Sequence, residues 1–407
     1  MRPLPPVATP AAIKSPRDVR LDFFRGTALL VILYDHVLSD AMTSLPLFVQ
    51  ATPIFWGLAC AAMIFVFISG QVYGLVYGKT FDRRGLGLTV GKSLWRAWQL
   101  YLANFITFAA VWLTVRMLQW QGLAEGFMSN ELQQMHERWH GRAGPFLAFA
   151  EFARIPHLFD VLPLYMIFVA IGPLIIVGLS KWPRGTILAS VAIYTGAQFG
   201  LKLPMESLGL HSFYFNPFAW QLVFTGGIVI ARLKPKIPRH VPTVIAGTLL
   251  ILAVALRVWA IPYLVFHHYL AASPAWEVNP SWADRGNLHF IRILYFAVLA
   301  YVAVNLLPRS EWFWNWLPVR GIRLLGRHTL LGFCVGVWFS WVSDPILIHL
   351  HGTWFDAMAA FVAGAGLTVA VVLLAERRVR GRNVRSLPES RELQLEVCIE
   401  GSKKQDF

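Results

Sequence analysis

Ten apolar runs, each close to the length of a bilayer-spanning helix, follow one another along this chain of 407 residues. About 20 apolar residues in a helix cross the roughly 30 Å of hydrocarbon. A backbone in lipid must satisfy its own hydrogen bonds, so such runs fold as helices. The expected spans are 21–40, 54–78, 96–118, 160–180, 185–201, 217–232, 243–263, 288–307, 328–350 and 353–375. Only 14% of the residues are charged, against roughly 25% in soluble domains. The expected fold class is an all-α polytopic membrane protein with about ten transmembrane helices.

The basic residues orient this arrangement. Of the 36 Lys and Arg, 27 fall on the side of the two termini and 7 on the other, with Arg25 and Arg257 inside spans. That asymmetry predicts cytoplasmic termini by the positive-inside rule. It also accounts for the net charge of +14 without nucleic acid as a partner; the partner that the composition implies is the lipid bilayer. Residues 1–19 hold five prolines and no apolar core of a signal peptide, so the first helix is expected to act as an uncleaved start. The domain reading is a cytoplasmic N-terminal segment (1–19), a ten-helix transmembrane domain (20–376) and a polar, cytoplasmic, disordered tail (377–407). Cys60, Cys334 and Cys398 are scattered, so neither a disulfide framework nor a metal site is expected. The chain carries no phosphate-binding loop, dinucleotide fingerprint or zinc-protease motif, which argues against an ATP-driven pump.

The first span carries ionisable groups where lipid penalises them: Asp22, Arg25, Asp35 and His36. Such residues are functional candidates by default. Eleven helical residues make three turns plus about 20°, so Arg25 and His36 share one face about 16 Å apart. A path is therefore expected from a surface cation to an imidazole near the midplane. Asp22 and Arg25 are three apart and can pair. Asp35 points about 100° away from His36 on the same helix. The competing account of His36 is a hydrogen-bonded packing histidine.

Other candidates are spread along the chain. Gly70, Gly74 and Gly78 form a small-residue ridge suited to close helix packing, with Ser69 a polar group beside it. Arg96 sits at the predicted cytoplasmic surface and either snorkels or holds an anion; Gln99 follows one turn later. Arg320, Arg323 and Arg327 form another basic group. Three polar-aromatic clusters lie at the opposite mouth: His157, Asp160, Pro163 and Tyr165; Asn216, Trp220 and Gln221; Asn287, His289, Arg292 and Tyr295. Aromatic faces beside hydroxyl and amide groups suit sugar rings. The long connection 119–159 reads as a short amphipathic helix over 130–140 followed by an apolar stretch; loops of this length tend to be functional.

The spacing of Arg25 and His36 resembles the signature of the membrane acyltransferase-3 superfamily, and Phe67-Ile68-Ser69-Gly70 resembles its second-helix motif. More narrowly, Arg20-to-Gly26, Tyr34-Asp35-His36, Asp160-to-Tyr165, Phe215-to-Gln221, Gly286-to-Phe290 and Leu325-Gly326-Arg327 look like the OpgC branch, over roughly 17–378. His328 stands where that branch usually has Asn. The resemblance implies ten helices and an O-acyltransferase that moves an acyl group, succinyl first and acetyl as the alternative, from cytoplasmic acyl-CoA to hydroxyls of a periplasmic glucan at the inner membrane. It implies His36 with Asp35 as the catalytic pair and Arg25, Arg96 and Arg327 as acyl-CoA contacts. Supporting roles fall to Asp22, Ser69, Gln99, Asp160, Tyr165, Asn216, Trp220, His289 and Arg292. Acyl-CoA is then a substrate, and no tightly bound cofactor is expected. The rival readings are a glycan or lipid transporter, for which no paired repeat is visible, and an envelope scaffold.

Overall fold

The structure, a computed structural model, describes residues 18–39, 59–123, 127–138, 141, 143–204, 214–235, 241–255, 285–308 and 310–385. Arg257, Cys398, residues 1–17 of the expected N-terminal segment, residues 386–407 of the expected tail and the ends of three expected spans, 40, 54–58 and 256–263, lie outside them. The described residues are all-helical, without strands. The helices are α1 (Val19–Ser39), α2 (Ala61–Trp120), α3 (Phe127–Arg138), α4 (Gly144–Ala150), α5 (Val161–Lys181), α6 (Pro183–Gln198), α7 (Pro217–Leu233), α8 (Val241–Ala255), α9 (Phe290–Leu306), α10 (Glu311–Asn315), α11 (Leu317–Arg327), α12 (Thr329–His349) and α13 (Trp354–Arg385). A helix stands at each expected span. Among the described residues, α2, α5, α12 and α13 contain stretches long and apolar enough to cross a bilayer, and α7 and α9 are apolar but shorter. Helix α1 carries too many charges to join them, and α13 runs past the expected boundary at 376.

The 60 residues of α2 are two antiparallel limbs, 61–84 and 86–120. Gly85 has φ +78° and ψ −176°, a backbone conformation that glycine adopts without a Cβ penalty. The reversal is proved by the Tyr73 hydroxyl, which lies 2.6 Å from that of Ser93; in a straight helix the two would be about 30 Å apart. Each limb covers the described part of one expected span, but the chain between them continues as helix on both sides of one glycine instead of forming a loop.

Glycines decide how the helices meet. A Cβ on Gly70 would overlap the Phe224 carbonyl, and one on Gly227 would overlap the Phe67 carbonyl. The first limb of α2 and α7 thus touch backbone to backbone, as the small-residue ridge predicts. Helices gain little from apolar association in lipid, so close van der Waals packing of this kind carries their cohesion. The pair α1 and α11 repeats the device: Gly26 faces the Ile322 carbonyl and Gly326 faces the Asp22 carbonyl, which makes the two helices antiparallel. Large side chains such as Ile106, Leu113, Leu174 and Val362 stay exposed on the outer faces, in keeping with a lipid-facing surface.

The apolar stretch after α3 packs onto the second limb of α2. Phe149 stacks on Phe108 with ring centroids 4.1 Å apart, and Phe159 meets both edge-on. The Tyr101 hydroxyl donates to the Ala150 carbonyl at 3.1 Å. These contacts bring residues 151–160 over the end of α1.

Candidate active site

Residues Leu29, Ile32, Leu33 and His36 of α1 face Gly332, Phe333, Gly336, Val337 and Ser340 of α12 across a narrow crevice that Leu158 closes at one end. Gly332 and Gly336 lie one turn apart and leave room on the α12 side. Arg25 stands one turn beyond Leu29 on the same face of α1. The crevice therefore runs along that face from Leu29 to His36, and Arg25 is not among its lining residues. Its volume is about 10 Å³, room for one water molecule, so a chain-like substrate enters only if α1 and α12 part.

At the end that Leu158 caps, the His36 ring meets the ring of His157 edge-on, with centroids 5.5 Å apart. His157 as a residue is exposed. Three contacts fix its backbone. Its N–H donates to both carboxylate oxygens of Glu131, at 3.2 and 3.1 Å, and its carbonyl accepts from the Trp341 indole N–H at 3.2 Å. Glu131 is also 4.0 Å from Arg154. Burial raises the Glu131 carboxyl above its ordinary value, against the opposing pull of the His157 N–H and the Arg154 charge. Burial lowers the His157 imidazole, which favours the neutral ring that can accept a proton. Two residues flanking this segment, Phe152 (φ +57°) and Leu158 (φ +71°), hold left-handed backbone without being glycine. Such conformations persist where surrounding contacts over-determine them, often at functional sites.

Asp35 is buried, 3% exposed. A second carboxylate, Asp344 of α12, is equally buried; sequence reasoning passed over it, although the rule that singled out Asp35 applies to it too. At the far end of α1, Asp22 pairs with Arg327 at 3.7 Å, and Arg327 also reaches Glu376 at 3.8 Å. Asp22 thus meets a cation from α11, and Glu376 was not anticipated. Arg323 donates to the Trp314 carbonyl at 2.9 Å. Arg96 donates to Gln99 at 3.2 Å, which occupies both residues at the exposed start of the second α2 span. Ser69 is fully buried, and its hydroxyl has no hydrogen-bond partner among the described residues.

The other two polar-aromatic clusters close on each other. Asn216 caps α7 by accepting from the Phe218 N–H at 3.1 Å and donates to Leu201 and Asn287 at 2.8 and 3.1 Å. The Trp220 indole donates to the Arg285 and Gly286 carbonyls, both at 3.2 Å. Tyr194 and Gln198 bond the Leu288 and Asn287 carbonyls at 3.0 and 2.8 Å. Asn216 and Trp220 therefore clamp the turn that carries Arg285, His289 and Arg292. Arg285 lies near enough to His36 to act on its charge, and Arg292 is buried beside Cys60. Tyr165 packs in the core against Phe65 and Phe224. Asp160 precedes α5 beside Glu131.

The fold and the site together define a membrane protein, all-helical among the described residues, with an imidazole pair at one end of a narrow crevice between two helices. The chain belongs to the OpgC family: the family model described as OpgC protein matches residues 17–380. No curated protein and no solved structure shows significant similarity to it. Membership points to a glucan-modifying acyltransferase.

Proposed function

We propose that this protein is a membrane O-acyltransferase of the acyltransferase-3 kind, moving a succinyl group from cytoplasmic acyl-CoA to a hydroxyl of a periplasmic glucan. The observation that carries the reading is the contact of His36 with His157 at the end of the crevice that Leu158 caps, on the same helix face as Arg25. The 27-to-7 distribution of basic residues supports ten crossings of the inner membrane with both termini in the cytoplasm.

In this reading the acyl donor enters from the Arg25 end as α1 and α12 part. Its phosphates meet Arg25 and the basic group around Arg327, where Asp22 and Glu376 keep the guanidinium placed. Arg96 is a further contact for them. The thioester carbonyl comes to lie beside His36, and the acceptor approaches from the His157 side. His36 takes the hydroxyl proton as the sugar oxygen bonds to the carbonyl carbon. The carbon–sulfur bond then breaks, and the thiolate leaves with the proton from the imidazolium. General-base help of this kind contributes typically 10²- to 10⁴-fold in rate. Asp35 supports the polar end of α1, and Arg292 is the cation for the free succinyl carboxylate.

The test is transfer from labelled succinyl-CoA and acetyl-CoA to a neutral glucan by the purified protein in nanodiscs. The wild-type protein transfers succinyl. His36→Ala loses about 10²- to 10⁴-fold of that activity and keeps its melting temperature. Equal transfer by wild type and variant refutes His36 as the base. Acetyl transfer alone replaces the donor assignment, and glucan movement across vesicles without acylation favours a transporter.

A further inference from the structure

An open cavity of about 550 Å³ lies between α3 and the segment after α4, lined by Gln134, Met135, Glu137, Arg138 and Arg154. We infer that it docks the acceptor as a hydroxyl-rich saccharide before one of its hydroxyls reaches the His36–His157 end of the crevice. The inference rests on the proposed transfer reaction and assigns its acceptor subsite.

The size falls within the range of small-ligand sites, roughly 300–1,000 Å³, whereas the crevice at His36 is far too small for a sugar ring. The lining chemistry is that of a saccharide site. A sugar hydroxyl both donates and accepts, so its site needs both kinds of partner. Arg138 and Arg154 only donate, the Glu137 carboxylate only accepts, and the Gln134 amide does both. Glu137 already accepts from Gln133 at 3.1 Å, which holds its carboxylate at the rim. Met135, 2% exposed and part of the buried core, forms the apolar floor beneath the polar groups.

The cavity is also joined to the chemistry by consecutive contacts. Its wall residue Arg154 pairs with Glu131, Glu131 holds the His157 N–H, and the His157 ring lies against His36. The strained residues Phe152 and Leu158 bracket this wall. A glycan seated here lies two contacts from His157, which is itself exposed.

The experiment measures binding of a neutral linear gluco-oligosaccharide to the full chain in nanodiscs, by calorimetry, for wild type, Arg138→Ala, Glu137→Gln and His36→Ala. Acceptor KM and kcat for transfer are measured alongside. Expected are at least tenfold weaker binding and a matching rise in acceptor KM for Arg138→Ala and Glu137→Gln, with kcat little changed. His36→Ala binds the oligosaccharide as wild type does. Wild-type affinity and KM in both cavity variants overturn the site while leaving the transfer reaction standing. Oligosaccharide binding that depends on Arg138, in a protein that acylates no glycan, keeps the site and overturns the transfer reading. Melting curves accompany each variant, and Gln134→Ala, a neutral change on the same wall, replaces any variant that does not fold and is expected to weaken binding in the same direction.

Discussion

Removing the Glu131 carboxylate should release His157 from His36 and slow transfer without unfolding the protein. Glu131 accepts the His157 N–H through both oxygens, at 3.1 and 3.2 Å. A hydrogen bond to a charged acceptor contributes about 1.5–3 kcal/mol. The Arg154 partner at 4.0 Å, with side chains 31% and 14% exposed, adds at most about 1 kcal/mol. Each 1.4 kcal/mol is about tenfold in population, so the combined loss of up to about 4 kcal/mol sets a ceiling of roughly 700-fold on the fall in the docked-to-undocked ratio of His157. The Trp341 bond to the His157 carbonyl remains, which keeps the loss below that ceiling and preserves the fold. The expected result is a fall in kcat of about tenfold in a protein that still folds, with a melting temperature lowered by only a few degrees. Glu131→Gln keeps an oxygen acceptor for the same N–H and should fall much less. The assay is succinyl transfer in nanodiscs, with His157→Ala in parallel. Full activity in Glu131→Ala alongside a crippled His157→Ala would refute the claim that this carboxylate positions the ring.

Two further outcomes test the packing and the titration. Gly326→Ala should destabilise the protein by about 1–3 kcal/mol through overpacking, because the new Cβ overlaps the Asp22 carbonyl, whereas Gly321→Ala has open space around it and should be neutral or stabilising; equal melting shifts for the two refute the close α1–α11 approach. Burial holds His157 below its ordinary value of 6.5, so just below that pH the unfolded chain binds more protons and stability falls as the pH drops. Wild type should therefore lose thermal stability between neutral pH and the acid side of that value faster than His157→Asn, and identical slopes refute the assignment.

The fold was legible in the chain because lipid allows few solutions. Apolar runs must be helices, and a helix stands at each expected run wherever its residues are described. The Gly70-Gly74-Gly78 ridge announced a close helix contact, and α7 supplies it. What local pattern could not announce was the partner: nothing in the sequence says that Gly227 answers Gly70, or that Gly85 turns two helices into a hairpin with a single residue. The same boundary runs through the site. Arg25 and His36 share a face by helical geometry alone, and the crevice follows that face. Asp344 was available to the rule that found Asp35 and was overlooked. His157 stood out only as one member of a polar-aromatic cluster.

The residues that place His157 beside His36 explain that boundary. Glu131 lies 26 residues before His157 and Trp341 lies 184 after it, distances over which no helical or turn periodicity operates. Asp22, Arg327 and Glu376 meet in the same way from three helices. Spacing reports which groups one helix presents to a face, because helix geometry is fixed by the chain itself. It does not report which groups converge there from elsewhere, because that depends on how helices cross, and here glycines facing backbone carbonyls set the crossings. An imidazole on α1 needs a second element to become an acid–base site, and in this chain that element is a loop held left-handed at Phe152 and Leu158 by contacts from α2, α3 and α12.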